Sequence, residues 1–105
     1  MEKIHVHGDV ILVAVNKIPE GAKKSDKFDG ILQYGERTGH AHRLTGKEKD
    51  MYEYFHEGRR YLKLVTESPL SHEEHKTINL KPGNYEVRIV REQDHFQDLV
   101  RPVVD

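Results

Sequence analysis

Two short stretches hold the side chains best suited to gripping a ligand. His40 and His42 lie two positions apart in Gly39-His40-Ala41-His42, and thirty residues after His42 comes His72-Glu73-Glu74-His75. A neutral imidazole offers a ring nitrogen to Zn, Ni, Mn or Fe, and a carboxylate completes such sites. In an extended chain, residues i and i+2 share a face, so the two imidazoles of the first stretch stand side by side. Strand-borne His-x-His with further His or Glu ligands from another strand suits a divalent transition metal. The expected ligands are therefore His40, His42, His72, His75 and Glu74. Glu73 or Glu74 serves either as a ligand or as a general base.

Counting tempers the pairs. With eight histidines in 105 positions, chance alone supplies roughly 0.6 pairs at any one spacing. His5 and His7 form a second pair, at the start of a terminal strand where exposure is common, with Asp9 placed to partner His7. The distinctive feature is the combination of the His40–His42 stretch with the His-Glu-Glu-His segment.

The elements that must bring these stretches together are short. Ile4 to Val15 reads as one strong strand signal, with Val10-Ile11-Leu12-Val13-Ala14-Val15 apolar on both faces, as in a strand buried within a sandwich or barrel. Asn16 to Gly21 is a turn marked by Pro19 and Gly21, and Ala22 to Gly30 an exposed charged loop. Short strands follow at Gly30–Gly35 and Gly39–Leu44, around a turn at Glu36–Gly39. After a polar turn at Thr45–Asp50, Met51–Phe55 and Arg60–Val65 form a hairpin. Glu67–Leu70 reads as a loop. Ser71-His72-Glu73-Glu74 matches a Ser-x-x-Glu capping box and predicts one helical turn, which would put positions 72 and 75 on one side. Lys76–Leu80 is extended, Lys81–Asn84 is a turn of the type II pattern, and Tyr85–Val90 alternates as a half-buried antiparallel strand. The tail suggests either a short helix near His95-Phe96 or an irregular segment ending in an edge strand at Val100–Val104, where Pro102 argues for an edge. About seven short strands with no helical period predict an all-β fold, a small antiparallel barrel or sandwich, as one domain over residues 1–105.

Composition narrows the function. Hydrophobic residues make up 35% and charged residues 33% of the chain, and the net charge is −1, so nothing draws the whole molecule to nucleic acid or anionic lipid. Cysteine is absent, which excludes disulfides, thiolate ligands and a cysteine nucleophile and agrees with a reducing compartment. No apolar run approaches the ~20 residues that span a bilayer, and Met1–His5 lacks a signal-peptide pattern. The expectation is a cytoplasmic protein. Neither a Gly-x-Gly-x-x-Gly nor a P-loop pattern occurs, and Thr38 or Ser71 beside histidine does not make a triad. Arg43, Lys47, Lys49, Arg59, Arg60 and Lys63 interleave with Tyr52, Tyr54 and Tyr61, as single-strand nucleic-acid binders do. Glu48, Asp50, Glu53 and Glu57 interrupt that stretch, which favours a solvated mixed-charge surface.

Gly8-Asp9-Val10-Ile11-Leu12, Gly35-Glu36-x-Thr38-Gly39-His40-Ala41-His42, Leu70-x-His72-Glu73-Glu74-His75, Leu80-x-Pro82-Gly83-x-Tyr85 and Val90-Arg91-Glu92 together resemble a family of small uncharacterised bacterial and phage-borne proteins. The resemblance implies that the two histidine stretches belong to one pattern, and it brings no activity with it. Looser likenesses are to cupins, through the His-x-His strand and the Pro-Gly turn, and to a co-chaperonin-like small barrel, through the opening strand. The cupin pattern has a Glu soon after the His pair and a His soon after the Pro-Gly turn. Here Glu48 falls late and no His follows Gly83 before His95. The leading expectation is a divalent-metal domain whose activity the sequence does not name. The alternative is a non-catalytic, phage-type accessory module without metal, in which Tyr52, Tyr54 and Arg60 contact a protein partner or a second copy.

Overall fold

The computed structural model describes residues 3–34 and 39–90. Ten strands follow in chain order: β1 Ile4–His7, β2 Val10–Val15, β3 Lys23–Lys24, β4 Ile31–Tyr34, β5 Ala41–Leu44, β6 Met51–His56, β7 Arg59–Leu64, β8 Ser68–Ser71, β9 Ile78–Leu80 and β10 Gly83–Ile89. They make two antiparallel sheets, one ordered β1-β2-β10-β7-β6-β3 and the other β4-β5-β8-β9. The fold is thus all-β and sandwich-like, and not the closed barrel that was the other expectation. Among the described residues there is no α-helix, only a 3-10 turn at Glu48–Asp50. Among those residues no helix is long and apolar enough to cross a membrane.

The core lies between the sheets. Val10, Leu12, Leu62, Leu64, Tyr85 and Val87 from the larger sheet meet Leu32, Leu44, Leu70 and Leu80 from the smaller. Register follows from this burial. Tyr85 stands opposite Ala14 and Leu62, and a slip by one residue would turn the buried set outward. Arg60 ties the layers at one side. From β7 its Nη1 and Nη2 donate to the Leu32 and Ile31 carbonyls of β4 at 2.5 and 3.1 Å, while Nε donates to Glu53 at 2.6 Å.

Several sequence expectations need correction. Ile4–Val15 is a hairpin and not one strand, because Gly8 and Asp9 form a two-residue turn with His7 paired to Val10. Gly8 has φ +62°, the positive value that the first position of a II′ turn requires. Glu67–Leu70 is no loop. Ser68–Ser71 forms β8, pairing with β5 and β9. No helical turn grows from the Ser71 cap, since Ser71 is the last residue of β8 and residues 72–75 form a bent connection to β9. Gly83 already belongs to β10. The alternation of β10 predicts Glu86 facing solvent, yet it is 6% exposed. It shares its face with the buried Val13 and Tyr61, and its carboxylate is met by Arg88 at 2.8 Å and Arg59 at 3.7 Å. Pairing of this kind is what allows a carboxylate to be buried. The Met51–Phe55 and Arg60–Val65 hairpin is present as β6 and β7, closed by Glu57 and Gly58, both at positive φ. The expected turn at 36–38 and the tail from 91 onward fall outside the described residues.

Candidate functional site

The site lies at one end of the sandwich. The β1–β2 turn of the larger sheet there meets β5 and the β8–β9 connection of the smaller one. On β5, His42 and Leu44 point inward and are 2% exposed, while Arg43 points to solvent. This alternation carries an imidazole into a position where an apolar residue would ordinarily sit. His7, the last residue of β1, is 3% exposed and faces His42.

A chain of contacts runs through the two buried rings. His7 Nε2 lies 2.9 Å from the Lys76 carbonyl, His7 Nδ1 lies 2.8 Å from His42 Nδ1, and His42 Nε2 lies 2.9 Å from Asp9 Oδ1. Burial pushes the pKa of both histidines down, that of His42 to about 4, further lowered by the His72 ring and partly opposed by the Asp9 carboxylate. Both rings are therefore neutral near pH 7, and each carries one proton. Three contacts need three protons, because the Lys76 carbonyl and the Asp9 carboxylate only accept. Two neutral imidazoles supply two, so a third proton or another cation completes the chain. Asp9 is half exposed, at 50%, so a solvent-borne cation can reach the chain there. With a cation at that end, the rest falls into order. His42 Nδ1–H donates to His7 Nδ1, His7 Nε2–H donates to the Lys76 carbonyl, and the free lone pair is on His42 Nε2.

Further histidines crowd this point. The His75 ring stacks on that of His42, with centroids 5.5 Å apart and an interplanar angle of 18°, and the His72 ring is 4.4 Å from His42 and 4.7 Å from His75. His42, His72 and His75 offer ligand atoms within 4.8 Å of one another. So do His40, His72 and Glu73. The Glu73 carboxylate accepts the Ala41 N–H at 2.8 Å, which fixes it beside β5 and holds its pKa below the ordinary value. The Glu74 N–H donates to His72 Nδ1 at 3.0 Å, placing the His72 proton on Nε2. Gly8 makes the crowding possible. A Cβ there would stand 2.7 Å from His75 Nε2 and 2.8 Å from His42 Cε1, so the turn admits no side chain beneath the two rings.

The four expected histidines, His40, His42, His72 and His75, are thus gathered in one place. Glu74 belongs to neither converging group, and Glu73 stands closer to the histidines in its stead. The bent connection, not a helical turn, brings 72 and 75 together. His7 joins the cluster as the partner of His42, a weaker expectation from its terminal position. Asp9, expected beside His7, meets His42 instead, because the tight turn folds it past the end of the strand. His5 stays apart and lies edge-on to Tyr85 at 6.0 Å.

Residues 6–90 match the model of a domain of unknown function, DUF8820. The chain belongs to that family. The matched span takes in every residue of the cluster, from His7 to Lys76, and leaves out His5. The family description names no activity. Comparison with curated proteins and with solved structures finds no match.

Proposed function

We propose that this DUF8820 protein holds one divalent transition-metal ion at His42, His72 and His75, with Asp9 alongside. The observation that carries the reading is the convergence of His42, His72 and His75, whose ligand atoms lie within 4.8 Å of one another beside Asp9. The Asp9 carboxylate oxygen lies 2.9 Å from His42 Nε2, near enough to join the shell of an ion held there. The His7 contact does for His42 what outer partners of metal-bound histidines generally do, which is to fix the tautomer and the ring orientation. Ligands of a tetrahedral ion stand about 3.4 Å apart, so the three imidazoles need only modest closing from their present spread. His72 must give up the Glu74 N–H to ligate, a cost kept small because that bond is exposed. Nitrogen-rich donors without thiolate favour Zn or Ni over Mn or Fe at equal availability.

The interaction-module alternative has less support. Arg60 spends its donors on Glu53, Ile31 and Leu32, and Lys24 already covers the Tyr52 ring at 4.3 Å. The test is elemental analysis of untagged protein purified without a metal column, paired with thermal shifts on adding Zn, Ni, Mn or Fe. The expected result is one ion per chain and a raised Tm, both lost in His42→Ala with the fold retained. No stoichiometric metal and no shift with any of the four ions would refute the reading.

A further inference from the structure

His72 belongs to two overlapping ligand sets. One contains the buried His42 with His75. The other contains His40, which is partly exposed, and Glu73, which is exposed. We propose that His40, His72 and Glu73 form an outer landing point that takes the ion from solvent and passes it, through the shared His72, to His42 and His75. The inference rests on the metal reading above and adds the route by which the ion arrives.

Three observations support it. A neutral imidazole has one lone pair, so His72 serves one ion at a time and the two sets exclude each other. They are successive positions of one ion and not two sites filled together. His72 is also less firmly tethered than His42. Its one described hydrogen bond is the exposed contact from the Glu74 N–H, while His42 is locked between His7 and Asp9. A ligand that must follow an ion between two positions has to be the mobile one. Finally, Glu73 is the acidic member of the outer set, held in place by the Ala41 N–H and offering an oxygen within 4.8 Å of the ligand atoms of His40 and His72. A carboxylate at the mouth of a site raises the local cation concentration and the rate of encounter. In the transfer His72 stays on the ion while His40 and Glu73 leave and His42 and His75 replace them. No electrons change hands.

Co2+ binding followed by stopped-flow absorbance tests this, with the full chain and two variants. Glu73→Gln keeps an oxygen for the Ala41 N–H and removes only the charge, and His40→Asn removes the outer imidazole. Circular dichroism confirms that both are folded. The expected result is one Co2+ per chain in all three proteins, an unchanged final spectrum, and association slowed about tenfold in each variant. Two ions per chain, a changed final spectrum in the variants, or association as fast as in the native protein would each overturn the landing-point inference. If the native protein binds no Co2+, the metal reading itself fails.

Discussion

Acidifying the metal-free protein should remove about 3 kcal/mol of stability between pH 6.5 and 4, with His42 as the main source. In the folded chain the ring is buried on β5, and desolvation, aided by the nearby His72, holds its pKa at about 4 against 6.5 in the unfolded chain. The unfolded chain therefore binds more protons throughout that window, so stability rises with pH and falls on acidification. The His42 contribution is complete above pH 6.5 and gone below about 4. A shift from 6.5 to about 4, at about 1.4 kcal/mol per unit, gives the figure of about 3 kcal/mol. His7 shifts in the same direction, burial being the main cause, and steepens the slope. Glu73 acts lower on the scale. Its carboxyl is held below 4.5 by the Ala41 N–H, so its contribution is present above 4.5 and disappears only under stronger acid. Urea unfolding in chelator, at half-unit steps from pH 4.5 to 8, measures the slope. His42→Gln keeps a donor and an acceptor but does not titrate, and it should flatten the curve between pH 6.5 and 4.5. A native curve that is level or rises on acidification, or a slope untouched in His42→Gln, would refute the reasoning.

Further outcomes follow from particular contacts. Gly8→Ala must adopt φ +62° and place a Cβ 2.7 Å from His75 Nε2. Chemical denaturation should show a loss of about 1–2 kcal/mol from the backbone alone, and calorimetric titration should show weakened Zn2+ binding as His75 is pushed aside. His7→Leu leaves the His42 ring without its outer partner, and Zn2+ affinity should fall about 10- to 100-fold while the stoichiometry stays at one. Arg60→Lys abandons the fork that joins β7 to the Ile31 and Leu32 carbonyls. It should cost about 2 kcal/mol in urea unfolding, with Zn2+ affinity unchanged because none of the converging ligands depends on it.

Much of the architecture was legible because it rests on local pattern. The apolar block Val10–Val15 has to be buried on both faces, and the Met51–Leu64 hairpin announces itself through two apolar runs around Glu57-Gly58. What local pattern misread was set by distant partners. Gly8-Asp9 looks like a mild interruption of one strand, and only the pairing of Ile4 with Val13 makes it a turn. Ser68-Pro69 looks like a loop, yet Pro69 lies in β8 because β5 and β9 flank it. Ser71-x-x-Glu74 is a sound capping signal that lost to strand pairing, since no apolar helical face follows it. Glu86 reads as a surface residue until Arg59 and Arg88 are seen around it. For the site, the two histidine stretches and their meeting were legible from spacing and side-chain chemistry. The role of His7 was not, because its meaning depends on a ring 35 residues away. A cue was present in Gly8: a glycine directly after a histidine permits a close approach at that point.

The buried pair also bears on why the fold carries this cluster at all. A hydrogen-bonded polar network in a small core adds little to stability compared with well-packed apolar groups of the same shape, and a half-satisfied one is worse. His7 and His42 are 3% and 2% exposed and occupy an end of the sandwich that apolar side chains would fill at lower cost. Their rings are instead held neutral by burial and set against the Lys76 carbonyl and Asp9 at their outer nitrogens. A neutral imidazole set beside a half-exposed carboxylate is a poor structural strut and a good ligand. His72 and His75, from the β8–β9 connection of the smaller sheet, converge on His42, and His40 stands beyond them beside His72. Ligands drawn from β5, the β8–β9 connection and the β1–β2 turn converge only in the folded chain, so an ion that binds them stabilises the folded state alone. On the proposed reading, metal and acid would therefore act on the same residue with opposite sign: an ion would secure His42 as a neutral ligand, and a proton would remove it.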